Sequence, residues 1–529
     1  YGNDGTDGNT PAAEIDIEVD GTPGSNDMPG RITFKTTADG AASTTERFRI
    51  ASSGQIGIGG ANYGTSGQVL TSGGSGAAPS WQDASGGGGT VDLVANGSIA
   101  ANAAVIVGSD GKASTISAIA EALTAKQNGP ETSQTDGPRY LNGAYDSDND
   151  KFVYIWIKHV SNTDADVLAT VVTCSGTTLT FGATQTIFDT SAATWSSICC
   201  VDSNKYVATW DEGGRSRAAV LTVSGTSISV GTLTDYVIEN TEYVHVVSAG
   251  TNKFVVTYRN AQLGGCHCRC GSVSGTTITW GDPIDVAGAE RNGLAYIGND
   301  KCIWTYEVTS GSSGKAVIVS ISGTSLSAGT AVEWDTDAKN SWPVYNTTAG
   351  RGLIMFNETQ TGTEWKGRGF TVSGTTITLG TTYDLADDAQ GEAGTGYMDD
   401  DGTVYALNQD DVSGGLANQI FFYKITVSSS LAVSSTLEQS NLSDDTYSMS
   451  DGKYLSANVL KLGSGKYALA WGSYESSNSR VYVRVKQFAS TTLTASNFIG
   501  FSSASYTNGQ TATVNIVGST STQSSLTPG

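Results

Sequence analysis

Through most of the chain, apolar and small polar residues alternate with a period of two. The alternating stretches are short, and Gly, Asn, Asp and Ser separate them. This pattern predicts many short β-strands joined by tight turns. In the middle of the chain it also repeats. A Ser-Gly-Thr turn recurs at Ser175-Gly176-Thr177, Ser224-Gly225-Thr226, Ser274-Gly275-Thr276, Ser322-Gly323-Thr324 and Ser373-Gly374-Thr375, at successive spacings of 49, 50, 48 and 51 residues. An apolar residue precedes each turn (Cys174, Val223, Val273, Ile321, Val372), and a short alternating strand such as Thr277-Ile278-Thr279-Trp280 follows it. Two alternating runs flanking a two-residue turn with Gly predict a β-hairpin.

A second hairpin lies upstream in each repeat. Its turn leads into a strand marked by Lys151, Lys205, Lys253, Lys301, Arg351 and Lys466, and five residues after each marker stands an aromatic: Trp156, Trp210, Tyr258, Tyr306, Phe356 and Trp471. Offsets of one, three and five share one face of a strand, as Phe152, Tyr154 and Trp156 show, so that face is predicted to be buried. One degenerate copy fits between Phe356 and Trp471, where Val404, Ala406 and the strand from Phe421 to Val427 fill the slots.

The count is then seven repeats of about 50 residues and four strands each, over residues 138–495. One such sheet cannot bury both of its faces, and radial stacking into a closed ring solves this while removing long free edges. The predicted fold is all-β: a seven-bladed β-propeller, with a linear β-solenoid as the structural rival. Residues 1–90 lack the period and hold too little apolar material for a core of their own, so they predict an extended Gly/Ser-rich stem. Residues 91–137 and 496–529 predict the two halves of a small β-module into which the propeller is inserted. The first half includes a short helix over residues 114–126, on the spacing of Ile116, Ile119 and Leu123.

Composition narrows the function classes. With 29 Lys+Arg against 51 Asp+Glu the net charge is −22, which opposes binding to nucleic acid or to anionic lipid. No apolar run approaches the ~18 residues of a membrane helix. The chain opens on Tyr1 with no signal peptide ahead of it, which predicts a processed or partial product.

The flanks carry a resemblance. Gly54-Gln55-Ile56-Gly57-Ile58-Gly59 after Arg47-Phe48-Arg49-Ile50 resembles a motif of bacteriophage tail-fibre and tail-spike proteins. Gly67-Gln68-Val69-Leu70-Thr71-Ser72, running to Ala77-Ala78-Pro79-Ser80-Trp81, is similar to another, and Phe498-Ile499-Gly500 with Ser525-Leu526-Thr527-Pro528-Gly529 to a module of marine phage tail proteins. The resemblance implies a homotrimeric fibre of the virion, made in the bacterial cytoplasm and joined to other tail proteins. It also implies that the bulkier domain meets a glycan or protein of the host surface. The repeat itself lacks the kelch double glycine and the Trp-Asp signature.

Candidate chemistry is sparse. In Cys266-His267-Cys268-Arg269-Cys270 the thiols fall at every second position of a strand, where aligned repeats carry Ala or Val. They read as core residues and not as a zinc knuckle. Cys174 and Cys302 take apolar slots, and Cys199 and Cys200 face opposite ways. Asp146, Asp148 and Asp150, like Asp399, Asp400 and Asp401, imitate calcium loops but fit hairpin turns, so no cofactor is predicted and calcium is the alternative. The three histidines, His159, His245 and His267, lie in different repeats, and no hydrolase motif or Asp-box appears. A binding or structural protein is therefore predicted and not an enzyme, with a capsule-degrading propeller or a purely structural fibre decoration as alternatives. The predicted ligand surface is the set of loops after the aromatic-ended strands, which vary between repeats on one rim: Lys158, His159, Asp211, Arg215, Arg259, Asn260, Glu307, Asn357, Glu364, Gln409, Asp410 and Tyr474. Trp342 and Trp365 lie outside the repeat pattern and fit either sugar stacking or core packing.

Overall fold

In a computed structural model the chain forms two units, residues 119–491 and residues 1–118 with 492–529. The structure describes residues 2, 5, 10–83, 90–107, 111–115, 120–133, 138–159, 165–309, 312–358, 364–386, 395–412, 416–440, 442, 457–463, 465–473, 479–489 and 498–516. Among these, strands dominate and no α-helix occurs.

The larger unit is a β-propeller. Its antiparallel sheets each begin with an inner strand: Pro138–Asp146, Thr194–Asp202, Thr241–Ser248, Ala289–Gly298, Lys339–Asn346, Thr395–Met398 and Ala457–Lys461. These inner strands pack against one another in succession, and the last packs against the first. Each Ser-Gly-Thr turn joins the third and fourth strands of a sheet. In the first, Ser175 pairs with Thr178, so Gly176 and Thr177 make the turn. The five turn glycines have φ between 61° and 63°, a region that glycine enters without steric cost.

Packing explains why the repeat must close. The second strand of the first sheet is buried on both faces, and its alternation divides it between two hydrophobic clusters. Val153, Ile155 and Ile157 join Tyr206, Ala208 and Trp210 of the second sheet. Phe152, Tyr154 and Trp156 join Ala468, Ala470 and Val483 of the last. The same division recurs at every boundary between consecutive sheets. Each repeat aromatic (Trp156, Trp210, Tyr258, Tyr306, Phe356, Trp471) is buried against the preceding sheet. An open rod would leave such faces in water at both ends. Full burial of one large apolar side chain contributes about 1.5–3 kcal/mol, which favours closure.

Two expectations are corrected. The helix predicted over residues 114–126 is absent from its described part: Ala113–Thr115 and Ala122–Leu123 are strands, and residues 116–119 lie outside the described residues. Three apolar residues at helical spacing were too few to outweigh strand partners. The assignment of all of 91–137 to the module also changes. Ala122–Leu123 and Gln127–Ser133 pair with Ser479–Gln487, the third strand of the last sheet, and so complete that sheet from the opposite end of the repeat region. Register shifts between Asn128 and Glu131 accommodate Gly129 and Pro130, as bulges commonly do.

In the smaller unit, Ala13–Val19, Gly30–Thr37, Thr44–Ile50 and Ile56–Ile58 form one antiparallel sheet. Gln68–Thr71 and Ser80–Asp83 form a hairpin. A five-stranded sheet has the order Thr90–Val94, Thr511–Ile516, Phe498–Ser502, Ala104–Val107, Ala113–Thr115, around buried Ala95, Ile99, Val105 and Val514. Its strands come from the sequence before and after the repeat region.

The sixth sheet lacks the repeat aromatic. Asn408 takes that slot, buried, with neither amide atom hydrogen-bonded among the described residues. Buried polar atoms without partners cost about 1–3 kcal/mol. Asn408→Leu is therefore expected to raise unfolding stability by about that amount in a denaturant titration, and a loss of stability would contradict this account of the slot.

Candidate functional site

The predicted rim residues mostly serve the fold. Asp211 is buried. Its carboxylate accepts the N–H of Thr241 at 3.0 Å and of Gly213 at 2.8 Å, while burial raises its pKa. Asn260 is buried and accepts the N–H of Gln262 and Leu263 at 3.0 and 2.9 Å, closing its own loop. Glu307 and Asn357 are buried as well. These four are thus corrected from ligand-facing to internal: Asp211 and Asn260 satisfy loop N–H groups that water cannot reach, Glu307 accepts from Arg291, and Asn357 is enclosed at its strand end. Lys158 lies 3.6 Å from Asp166, Arg215 2.9 Å from Asp235, and Glu364 2.9 Å from Lys366, while Arg259 pairs with Glu242. His159 ends the second strand of the first sheet, and Gln409 and Asp410 lie in Thr403–Val412. Tyr474 lies outside the described residues.

The cysteine string, the aspartate runs and Trp365 are also structural. Cys266, Cys268 and Cys270 are buried in one cluster. Burial pushes the Cys266 thiol up to about 12 and the Cys270 thiol to about 11, far from the thiolate form that binds metal. Asp146 accepts from the Asp148 and Asn204 N–H groups at 3.0 and 2.6 Å, and Asp401 accepts from the Thr403 N–H at 2.8 Å. Both runs shape hairpin turns. Trp365 is core.

A different set of residues converges one strand further in. The inner strands begin where the second strands end, since Thr194 pairs with Asp211, Thr241 with Asn260 and Lys339 with Asn357. The predicted rim and the mouth of the central channel are therefore on the same face. The register slips at the start of five successive inner strands, around Tyr140, Trp195, Tyr243, Arg291 and Asn340. Such bulges re-aim side chains. Here they turn these residues into a cavity of about 240 Å³ at the channel.

Three of the five hold backbone that disfavours their own side chains, Tyr140 at φ 53°, Trp195 at 53° and Tyr243 at 52°, while Asn340, at 47°, is of a type that tolerates this region. A left-handed conformation costs a non-glycine residue about 1–2 kcal/mol. Bonds between sheets help to impose it. Ser196 donates to the Tyr140 carbonyl at 2.8 Å, and Asn292 donates to the Tyr243 carbonyl at 3.0 Å. The rings form an arc, Tyr140 to Trp195 at 4.8 Å and Trp195 to Tyr243 at 4.4 Å between centroids. Arg291 continues it, donating through Nε to the Tyr243 hydroxyl at 3.1 Å and through Nη1 to Glu307 at 2.8 Å. Trp342, Ser197, Asn142 and Asn458 also line the cavity. The wall thus pairs flat apolar rings with amide and hydroxyl groups, the composition of a small-ligand site. Sequence reasoning singled out only Trp342 of this wall for ligand stacking and missed the rest, because Tyr, Trp, Tyr, Arg and Asn share a position and not a residue type.

No family model matches the chain, and no curated protein matches it in sequence. Among solved structures it is similar to the six-bladed lectin of Aleuria aurantia, with TM-score 0.38 and 11% identity over 58% of this chain and 97% of that one. A luciferin-regenerating enzyme gives TM-score 0.33 and 10% identity over 70% of this chain and 99% of that one. A sialidase of Streptococcus pneumoniae gives TM-score 0.38 and 10% identity over 69% and 70%. The expectation that the chain is not an enzyme is withdrawn. Enzyme propellers stand beside lectins among these structures, and the lack of a familiar catalytic string does not separate the two classes.

Backbone strain in the arc has a direct test. Trp195→Gly and Trp195→Ala lose the same ring contacts, but only glycine relieves a φ of 53°. The glycine variant is expected to be the more stable by about 1 kcal/mol in chemical denaturation, and equal or reversed stabilities would show that the position is not strained.

Proposed function

We propose that this chain is a segment of a bacteriophage tail fibre whose seven sheets make a seven-bladed propeller, and that the propeller recognises a glycan of the host surface at its channel mouth. One observation carries the recognition reading: the arc of Tyr140, Trp195 and Tyr243, held by bulges and bonds between sheets against its own backbone preference. Strain of this kind persists where the surrounding structure fixes a functional group. A sugar ring offers an apolar face of C–H groups for the rings and hydroxyls for Asn142, Ser197 and Asn458. That combination matches this wall better than a purely apolar ligand would.

The fibre reading is supported by the flanking motifs and by one sheet of the smaller unit. There Ile15 and Ile17 pair with Phe34 and Ile32, which pair in turn with Phe48 and Ile50, so the apolar residues share one face. Ile17 is 83% exposed and Ile15 68%. The opposite face carries the ion pairs of Arg31 with Glu18 and Lys35 with Asp16, at 2.5 and 2.6 Å. An uncovered apolar sheet face suits association with copies of itself. The proposed partners are thus further copies in a homotrimer of the virion, other tail proteins and the host glycan.

Two measurements test these readings. On an array of bacterial capsular and lipopolysaccharide glycans the protein is expected to be retained by at least one, and Trp195→Ala, with unchanged circular dichroism, to bind it about thirtyfold more weakly, ~2 kcal/mol. Retention by none, or equal binding of the variant, would overturn the recognition reading. Reducing-end release from the bound polysaccharide would show hydrolysis as well as binding. In sedimentation, a species of three 54.6 kDa chains is expected, with Ile17→Lys plus Ile32→Lys falling to a monomer. A monomeric parent protein would sink the self-association.

A further inference from the structure

The charge of the channel mouth departs from that of the chain. The chain carries 51 Asp+Glu against 29 Lys+Arg, yet among the described residues no carboxylate lines the cavity. The ionisable side chains in its wall, besides the tyrosines, are Arg291 and His245. Burial holds the His245 imidazole down at about 4, so it is uncharged near neutral pH. It lines the cavity and is only partly exposed, and protein surrounds it. Among the described residues Arg291 is therefore the one full charge of the wall, although outside the lining Glu307 accepts from its Nη1 at 2.8 Å and the Glu290 carboxylate lies 3.8 Å from the same nitrogen.

That placement resembles a binding group more than a structural ion pair. Glu307 and the Tyr243 hydroxyl engage Nη1 and Nε and fix the guanidinium plane, while Nη2 has no acceptor among the described residues. A guanidinium is the side chain best shaped to take an oxyanion. The adjoining Tyr243 ring lies 5.6 Å from the guanidinium carbon, so a sugar stacked on the arc would bring a ring substituent within reach of Arg291.

From these observations we infer that the ligand of the channel mouth is an anionic saccharide, one whose oxyanion substituent Arg291 binds while Trp195 and Tyr243 stack on the ring. The inference rests on the glycan reading above and deepens it. The net charge of −22 does not forbid such a ligand, because salt at physiological strength screens distant charges beyond about 8 Å. It does predict slow capture, so selectivity arises once the ligand is in place.

The test uses matched probes. Uronate-containing oligosaccharides are titrated beside their carboxyl-reduced forms, and sulfated ones beside their desulfated forms, which tells a carboxylate from a sulfate. At least one anionic member is expected to bind about tenfold or more tightly than its neutral partner. Arg291→Gln alone leaves Glu307 uncompensated and risks misfolding. The double variant Arg291→Gln with Glu307→Gln removes the closer ion pair as a unit and leaves only the part-exposed Glu290 carboxylate, 3.8 Å from Arg291 in the parent, so it should fold and lose the preference for the anionic member. Binding of neutral and anionic members with equal affinity by the parent protein overturns this inference and leaves the glycan reading standing. Persistence of the preference in the double variant also overturns it. Retention of no saccharide at all removes the underlying reading.

Discussion

Every sheet of the propeller depends on its neighbours for the burial of its second strand. Lys151–His159 shows the constraint plainly: Val153, Ile155 and Ile157 face one adjoining sheet, and Phe152, Tyr154 and Trp156 face the other. No single sheet can satisfy both faces, so stability is shared around the ring and the last sheet must meet the first. The outer strands of residues 122–133, arriving from before the first sheet, pair with the last sheet, and Gln127 reaches across to the first, accepting the Leu179 N–H at 2.9 Å and donating to the Thr177 carbonyl at 3.2 Å. The channel at the axis follows from closure, since inner strands brought side by side leave a space that their side chains only partly fill.

Function, in this account, is built where the ring tolerates local departure. A regular inner strand would alternate its side chains between the two neighbouring sheets. The bulges at Tyr140, Trp195 and Tyr243 break that alternation and turn three rings toward the axis. The cost in backbone conformation is offset by the rigidity of the surrounding sheets and by the bonds from Ser196 and Asn292. The glycan and fibre readings remain proposals that rest on this wall, on the flanking motifs and on the apolar sheet face of the smaller unit.

Much of the scaffold was legible from the sequence. The Ser-Gly-Thr turns repeat because a two-residue hairpin turn here needs glycine at positive φ, and the aromatics from Trp156 to Trp471 repeat because one volume between sheets must be filled each time. The closing strand was illegible, because Gln127–Ser133 contains Gly129 and Pro130 and no apolar alternation. The site was illegible for a different reason. A position packed between sheets is constrained alike in every copy, but a position facing the open cavity is not, so Tyr140, Trp195, Tyr243, Arg291 and Asn340 leave no repeating letter. The rim reasoning stopped one strand further from the axis than the cavity, where Asp211 and Asn260 close loops, Glu307 pairs with Arg291 and Asn357 is buried.

Hydroxyl-radical footprinting with and without a retained polysaccharide tests the placement of the site most directly, because it reads side-chain accessibility residue by residue. The account predicts that Trp195, Tyr243 and Trp342 become protected together, while exposed rim positions such as Leu263 are labelled as before. Protection confined to the rim, with the three channel residues unchanged, would contradict it.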